Sequence, residues 1–179
     1  MVSLDQVKER TARAIQFVRA RDSFLLESAA NERSVTHKLA EYLQQEFPDY
    51  NVDCEYNRHG LLTKLLPREC ESQTHEYVYP DVVVHVRGND DSNLLVIEAK
   101  LGKKPTVPVC DAAKLKGFTK PDGDYHYQLG LFIGFDGVRD PQLVWFRDGR
   151  AEASNSLSTT APRWCRNFLK LLQCRRHRG

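Results

Sequence analysis

Two short acidic motifs stand where their side chains could meet. Asp81 follows Pro80, and Glu98-Ala99-Lys100 ends a run of apolar residues. Residues 87–93, rich in Gly, Asn, Asp and Ser, lie between the two motifs and are typical of a turn. The segments on either side of this turn are therefore predicted to pair as a β-hairpin.

The pairing register decides how close the acidic groups lie. A hairpin centred on Asn89 and Asp90 sets Asp81 directly opposite Glu98, whereas a centre one residue later sets Glu98 opposite Val83, on the same face as Asp81. Either register leaves the two carboxyl groups about 5–8 Å apart. Lys100 points to the same face as Glu98 because side chains alternate along a strand.

Two carboxylates this close repel each other, so a compensating charge is expected. A hard divalent cation such as Mg²⁺ supplies it, because carboxylate and carbonyl oxygens are its preferred ligands. Lys100 beside them can orient a metal-bound water or, as the neutral amine, deprotonate it; as the ammonium it can neutralise charge on a phosphoryl oxygen. The alternative is an ordinary hairpin whose charged side chains are solvated.

Hydrophobic periodicity predicts the elements that would position these residues. Helices are expected from Leu4 to about Arg19 and from Asn31 to Phe47, and Pro48 ends the second one. Strands are expected over residues 50–56, 76–86, 94–99, 127–135 and 142–146, with further helices over 111–118 and 161–174. This order predicts an α/β (α+β) fold with a central mixed β-sheet flanked by helices.

Pro80-Asp81, a gap of 16 residues and Glu98-Ala99-Lys100 together resemble the PD-(D/E)XK nuclease superfamily, which has the restriction-endonuclease-like fold. The resemblance implies one domain with an αβββαβ core over residues of about 31–135. An N-terminal helical extension would occupy residues 1–30, and a C-terminal strand and basic helix would occupy residues 136–179. It also implies a metal-dependent nuclease that hydrolyses phosphodiester bonds of nucleic acid, with DNA as the expected substrate.

The same resemblance assigns roles to particular residues. Asp81, Glu98 and the Ala99 carbonyl would hold Mg²⁺ or Mn²⁺, and Lys100 would position the attacking water. The superfamily often adds an acidic residue from the preceding helix, and Glu32 fits that place on the apolar stripe of its helix. Glu32 would complete the metal shell directly or through water. Glu32 could equally stabilise the helix dipole from the first turn.

Contacts with nucleic acid are expected in two places. The helix after the Glu-x-Lys motif lines the substrate channel in this superfamily, which predicts a phosphate contact for Lys114. Arg163, Arg166 and Lys170 form a basic C-terminal surface that could also bind phosphate or only complement a helix dipole.

Small nucleases of this kind often cut as homodimers or are recruited by a protein partner. The alternative function is a non-catalytic module for nucleic-acid binding or protein assembly that retains the fold.

The composition is that of an ordinary globular domain, with 179 residues, 41% of them hydrophobic and 28% charged. No apolar run approaches the length of a membrane span, and the first residues include charged side chains. Neither a transmembrane segment nor a secretory signal is therefore expected. Five cysteines without a Cys-x-x-Cys spacing predict reduced thiols and a cytoplasmic location.

The formal net charge of +2 conceals a regional imbalance. Residues 41–100 contain five basic and twelve acidic side chains, whereas residues 153–179 contain six basic and no acidic ones. The acidic excess lies in the segment of Asp81 and Glu98, where a cation would bind. The near-neutral total therefore does not argue against local binding of nucleic acid.

Overall fold

The computed structural model of the chain describes residues 2–28, 31–59, 62–63, 66 and 78–153. Its α-helices are α1 (Leu4–Arg21), α2 (Ser23–Glu27), α3 (Glu32–Glu46) and α4 (Val109–Phe118). Its strands are β1 (Asn51–Cys54), β2 (Arg58–His59), β3 (Leu62–Thr63), β4 (Val82–His85), β5 (Leu95–Leu101), β6 (Leu129–Phe135), β7 (Gln142–Arg147) and β8 (Arg150–Ala151). A short 3-10 turn, Asp90–Ser92, lies between β4 and β5.

Side-chain caps fix where the two long helices begin. The Ser3 hydroxyl accepts a hydrogen bond from the Gln6 N–H, and the Gln6 side chain accepts one from the Ser3 N–H, which is a capping box. The Asn31 side chain accepts a hydrogen bond from the Arg33 N–H at the start of α3. Both helices thus start where the sequence predicts, and Glu32 becomes the first residue of α3.

Within the described ranges, six strands form one mixed sheet in the order β1-β4-β5-β6-β7-β8, and β2 and β3 form a separate two-stranded ladder. Neighbouring strands of the large sheet are antiparallel except β5 and β6, which are parallel. A parallel pair needs a long crossover connection, and α4 lies in that connection. The predicted mixed sheet flanked by helices is confirmed.

β4 and β5 pair in the register that is centred on Asn89 and Asp90, one of the two registers expected from the turn. Val82 lies opposite Ile97. Asp81 directly precedes Val82, so it falls opposite Glu98. The predicted juxtaposition of the two acidic residues therefore follows from the observed strand pairing.

The two faces of the large sheet carry separate apolar clusters. One face, which includes Ile97, packs against α1 and α3, and the other, which includes Val96, packs against Leu115 of α4. Side chains alternate along each strand, so Glu98 and its neighbour Asp81 fall on the α4 side. α3 and α4 begin near this end of β5 and can reach it from opposite faces.

The structure differs from the predicted elements mainly at their ends. The strand expected over residues 76–86 is the four-residue β4, and residues 78–80 have no regular structure. α2 and β8 have five and two residues, too few for periodicity to reveal them. The helix expected over residues 161–174 lies outside the described residues.

The two described cysteines differ in chemical state. Cys54 is a free thiol, whereas Cys110, in the first turn of α4, is disulfide-bonded. The expectation of reduced thiols is therefore wrong for Cys110. An odd number of cysteines requires one unpaired thiol but does not exclude a disulfide among the others.

In the described part of the chain, no helix combines the length and the apolar character that crossing a membrane requires.

Candidate functional site

Four carboxyl groups and two ammonium groups lie together where β5 ends between α3 and α4. The residue before β4 and the end of β5 contribute the predicted pair, α3 contributes its first residue, and α4 contributes its third and sixth residues. We call this group the carboxylate–lysine cluster. Its members are Glu32, Asp81, Glu98, Lys100, Asp111 and Lys114.

Asp81 is held by backbone contacts to both neighbouring strands. Its Oδ2 atom accepts a hydrogen bond of 2.7 Å from the Ala99 N–H, and its own carbonyl accepts one from the Glu55 N–H at 3.2 Å. Burial raises the pKa of Asp81 above its usual value, and the Ala99 hydrogen bond opposes this rise. The carboxyl group is therefore fixed beside the backbone of Ala99, whose carbonyl is the predicted metal ligand.

Glu98 is the most deeply buried acid of the cluster, with 1% of its surface exposed. Its Oε2 atom accepts a hydrogen bond of 2.7 Å from Lys114 Nζ. Its Oε1 atom is buried and has no hydrogen-bond partner among the described residues. Burial raises the pKa of Glu98 to about 8, and the Lys114 ammonium only partly opposes this effect.

Lys100 and Glu32 form an ion pair across the end of β5. Lys100 Nζ lies 2.8 Å from Glu32 Oε1, and the Leu101 N–H donates to Glu32 Oε2 at 3.3 Å. Burial alone would lower the pKa of Lys100, but the Glu32 hydrogen bond and the nearby carboxylates raise it. The structure thus brings Glu32 to the site as expected. Its two oxygens, for which the sequence predicts a metal contact, bind the Lys100 ammonium and the Leu101 N–H.

Asp111 is the member of the cluster that the sequence reasoning missed. It is buried, with 8% of its side-chain surface exposed, and its Oδ1 atom lies 3.2 Å from Lys114 Nζ. Its Oδ2 atom lies 3.9 Å from Lys100 Nζ and has no hydrogen-bond partner among the described residues. The i,i+3 spacing of Asp111 and Lys114 was the available signal, because residues three apart share a helix face.

Lys114 faces the cluster, although a phosphate contact was predicted for it. Its side chain is 18% exposed and bonds to Glu98 and Asp111. Burial would lower the pKa of Lys114, but these two carboxylates raise it, so the side chain stays charged. The prediction did not foresee that α4 turns this residue towards the sheet.

A second polar network lies further along β4 and is distinct from the cluster. His85 Nε2 lies 2.9 Å from Asp53 Oδ2, and Arg87 also pairs with Asp53. The Arg87 hydrogen bond lowers the pKa of Asp53, and the His85 contact adds to this effect while burial opposes it. The contact between Asp53 and His85 ties β1 to β4.

The described residues contain no group of three or more His, Cys, Asp or Glu side chains arranged to hold a metal ion. The donor chemistry nevertheless fits Mg²⁺, which is commonly held by one or two carboxylates while it keeps several waters. The two buried oxygens without hydrogen-bond partners, one on Glu98 and one on Asp111, are groups that a cation would satisfy.

Other candidate surfaces lie away from the cluster or outside the described residues. The predicted basic surface of Arg163, Arg166 and Lys170 lies outside the described residues. A cavity of about 970 Å³ lies at the opposite end of α4, between Lys116 and the β7–β8 turn. Lysine, arginine and aspartate side chains line it together, so its charge favours neither anions nor cations.

No protein-family model and no curated protein matches this chain. Its function is therefore argued from the geometry and chemistry of the site.

Proposed function

We propose that this chain is a metal-dependent nuclease that hydrolyses phosphodiester bonds, with DNA as its substrate. The observation that carries the proposal is the carboxylate–lysine cluster, in which Asp81, Glu98 and Lys100 lie together at the ends of two paired strands. If all six members are ionised, four carboxylates and two ammonium groups leave a formal charge of −2. A divalent cation would balance that charge.

The order of the elements also supports the proposal. α3, β1, β4, β5, α4 and β6 follow one another as the helix, three strands, helix and strand expected of a restriction-endonuclease-like core, with β2 and β3 inserted after β1. We infer that residues of about 31–135 form such a core. The apolar side chains of α1 join the same cluster as those of α3, so the N-terminal helix would be an integral support of the core.

Asp81, Glu98 and the Ala99 carbonyl are the groups that would hold Mg²⁺ or Mn²⁺. When bound there, the metal ion would stabilise negative charge on the phosphoryl oxygens and lower the pKa of a bound water. Hydrolysis adds water to phosphorus and breaks one phosphorus–oxygen bond. The products are a phosphate monoester and a hydroxyl group.

The roles of the chain's own residues follow from their contacts. Lys100 has a raised pKa and therefore acts as a cation and hydrogen-bond donor towards the attacking water or the phosphate. Glu32 positions Lys100, because it anchors the ammonium at 2.8 Å. Asp81 is oriented by the Ala99 N–H.

The test is a cleavage assay on plasmid and on single-stranded DNA with Mg²⁺, Mn²⁺ or EDTA. We expect cleavage that needs metal and is lost in Asp81→Ala and in Lys100→Ala. Lys38→Ala is a suitable control, since Lys38 pairs with Glu41 on α3 away from the cluster. Cleavage that persists in EDTA, or in both cluster variants, would refute the proposal.

A non-catalytic nucleic-acid-binding module is the second candidate. The ion pair between Lys114 and Glu98 favours it, because that lysine already neutralises the most buried carboxylate. The same assay separates the two candidates when it is combined with a gel-shift measurement. DNA binding without cleavage under every metal condition would favour the module.

A further inference from the structure

Lys114 bridges two carboxylates that come from different elements. Its Nζ atom lies 2.7 Å from Glu98 Oε2 on β5 and 3.2 Å from Asp111 Oδ1 on α4. All three side chains are largely buried, with exposed fractions of 18% for Lys114, 8% for Asp111 and 1% for Glu98. A buried ammonium between two acids is therefore the counter-ion of this part of the cluster.

In the part of the chain that the structure describes, the Lys114 ammonium leaves one oxygen of each carboxylate without a hydrogen bond, and Asp111 Oδ2 has only a distant ion-pair contact with Lys100 Nζ at 3.9 Å. Glu98 Oε1 and Asp111 Oδ2 are both buried and accept no hydrogen bond within the described ranges. Leaving a buried acceptor unsatisfied is costly. Lys114 cannot donate to these two oxygens as well as to the two that it already contacts, whereas a divalent cation takes several oxygen ligands at once.

We propose that Glu98 and Asp111 form one cation-binding pair for which the Lys114 ammonium and a divalent metal ion compete. Asp111 is thereby an additional metal ligand supplied by α4. Lys114 limits metal binding because two cations that share the same carboxylates repel each other. This inference rests on the proposed function only in placing a divalent ion at Glu98.

The first test is calorimetric titration of the full chain with Mn²⁺. Lys114→Gln removes the charge but keeps a hydrogen-bond donor, and we expect it to lower the Kd for Mn²⁺ about tenfold. Asp111→Asn should raise the Kd by a similar factor. Lys116→Gln is the matched control, because Lys116 is an exposed lysine on the same helix, and it should bind Mn²⁺ like the wild type.

A second test uses the wild-type chain and needs no variant to fold. Competition predicts that Mn²⁺ releases Lys114 from its carboxylates, so acetylation of its amine by a small acylating reagent should become several-fold faster. Mass spectrometry after proteolysis measures the rate for each lysine. The rate for Lys116 should not change with Mn²⁺.

The outcomes separate this inference from the proposed function. Mn²⁺ binding by the wild type with no tightening in Lys114→Gln, or with no change in Lys114 acetylation, overturns the inference alone. Mn²⁺ binding only by Lys114→Gln supports the inference and counts against a metal-dependent enzyme. If neither protein binds Mn²⁺, both are overturned.

Discussion

Glu98 is a buried acid whose carboxylate is only partly compensated by its neighbours. A buried carboxylate without compensation is strongly unfavourable, yet Glu98 keeps one oxygen free of hydrogen bonds among the described residues. Lys114 is its counter-ion, and breaking such a buried pair typically costs about 3–5 kcal/mol. The stability of this buried site therefore depends on the pairing of Glu98 with Lys114.

The raised pKa of Glu98 predicts a specific pH dependence of stability. The pKa is about 8 in the folded protein against an ordinary value of 4.5, so the folded state binds the proton more tightly than the unfolded chain does. Stability from this group is fully present below the ordinary pKa and is lost as the pH rises through about 8. Glu98→Gln removes the titration, so its free energy of unfolding should fall less than that of the wild type over this range.

Urea denaturation at about pH 5 and about pH 8.5 measures this difference. Glu27→Gln, which alters an exposed carboxyl group at the end of α2, should keep the wild-type pH dependence. An identical loss of stability in Glu98→Gln and in the wild type between the two pH values would show that the Glu98 carboxyl is not perturbed.

The elements differ in how far the sequence could predict their contribution to the site. The juxtaposition of Asp81 and Glu98 depends on a local hairpin, whose turn composition and alternation are visible in the sequence. The contact between Glu98 and Lys114 depends on how α4 packs across the sheet after a crossover, and no local pattern specifies that. The role of Asp111 was missed for the same reason.

Gly134 on β6 controls the approach of that crossover to the sheet. It pairs with Lys100, and a Cβ atom added to it would lie 2.8 Å from the Pro105 carbonyl oxygen. The backbone cannot yield as a flexible side chain does, so Gly134→Ala should displace the segment that leads into α4. We expect a loss of about 1–3 kcal/mol in the free energy of unfolding.

Gly102→Ala is the control for this prediction, because an added Cβ there meets no atom within 4 Å. Urea denaturation should show a loss for Gly134→Ala and little change for Gly102→Ala. Equal stabilities of the two variants would mean that the crossover does not depend on close packing at β6.

The whole molecule positions the cluster through its two apolar layers. α1 and α3 cover one face of the sheet, and α4 covers the other, so Glu32 and Asp111 approach the end of β5 from opposite sides. The sequence predicted this layered architecture because periodicity reveals long helices and strands. It could not specify which charged side chains from the two layers meet.

The central claim is that the carboxylate–lysine cluster makes this chain a metal-dependent nuclease, and a matched pair of Asp→Asn variants tests it most directly. Asp81 belongs to the cluster, whereas Asp22 accepts a 2.7 Å hydrogen bond from the Tyr42 hydroxyl. Tyr42 is ten residues along α3 from Glu32, or about 15 Å. Both substitutions keep the side-chain shape and remove a half-buried charge.

The measurement is the rate of Mg²⁺-dependent cleavage of labelled DNA by the two variants and the wild type, with folding checked by circular dichroism. We predict that Asp81→Asn lowers the rate about a thousandfold, equivalent to about 4 kcal/mol of transition-state stabilisation. Asp22→Asn should cleave at close to the wild-type rate. Cleavage by Asp81→Asn at the wild-type rate, or no cleavage by the folded wild type with any divalent metal, would contradict the claim.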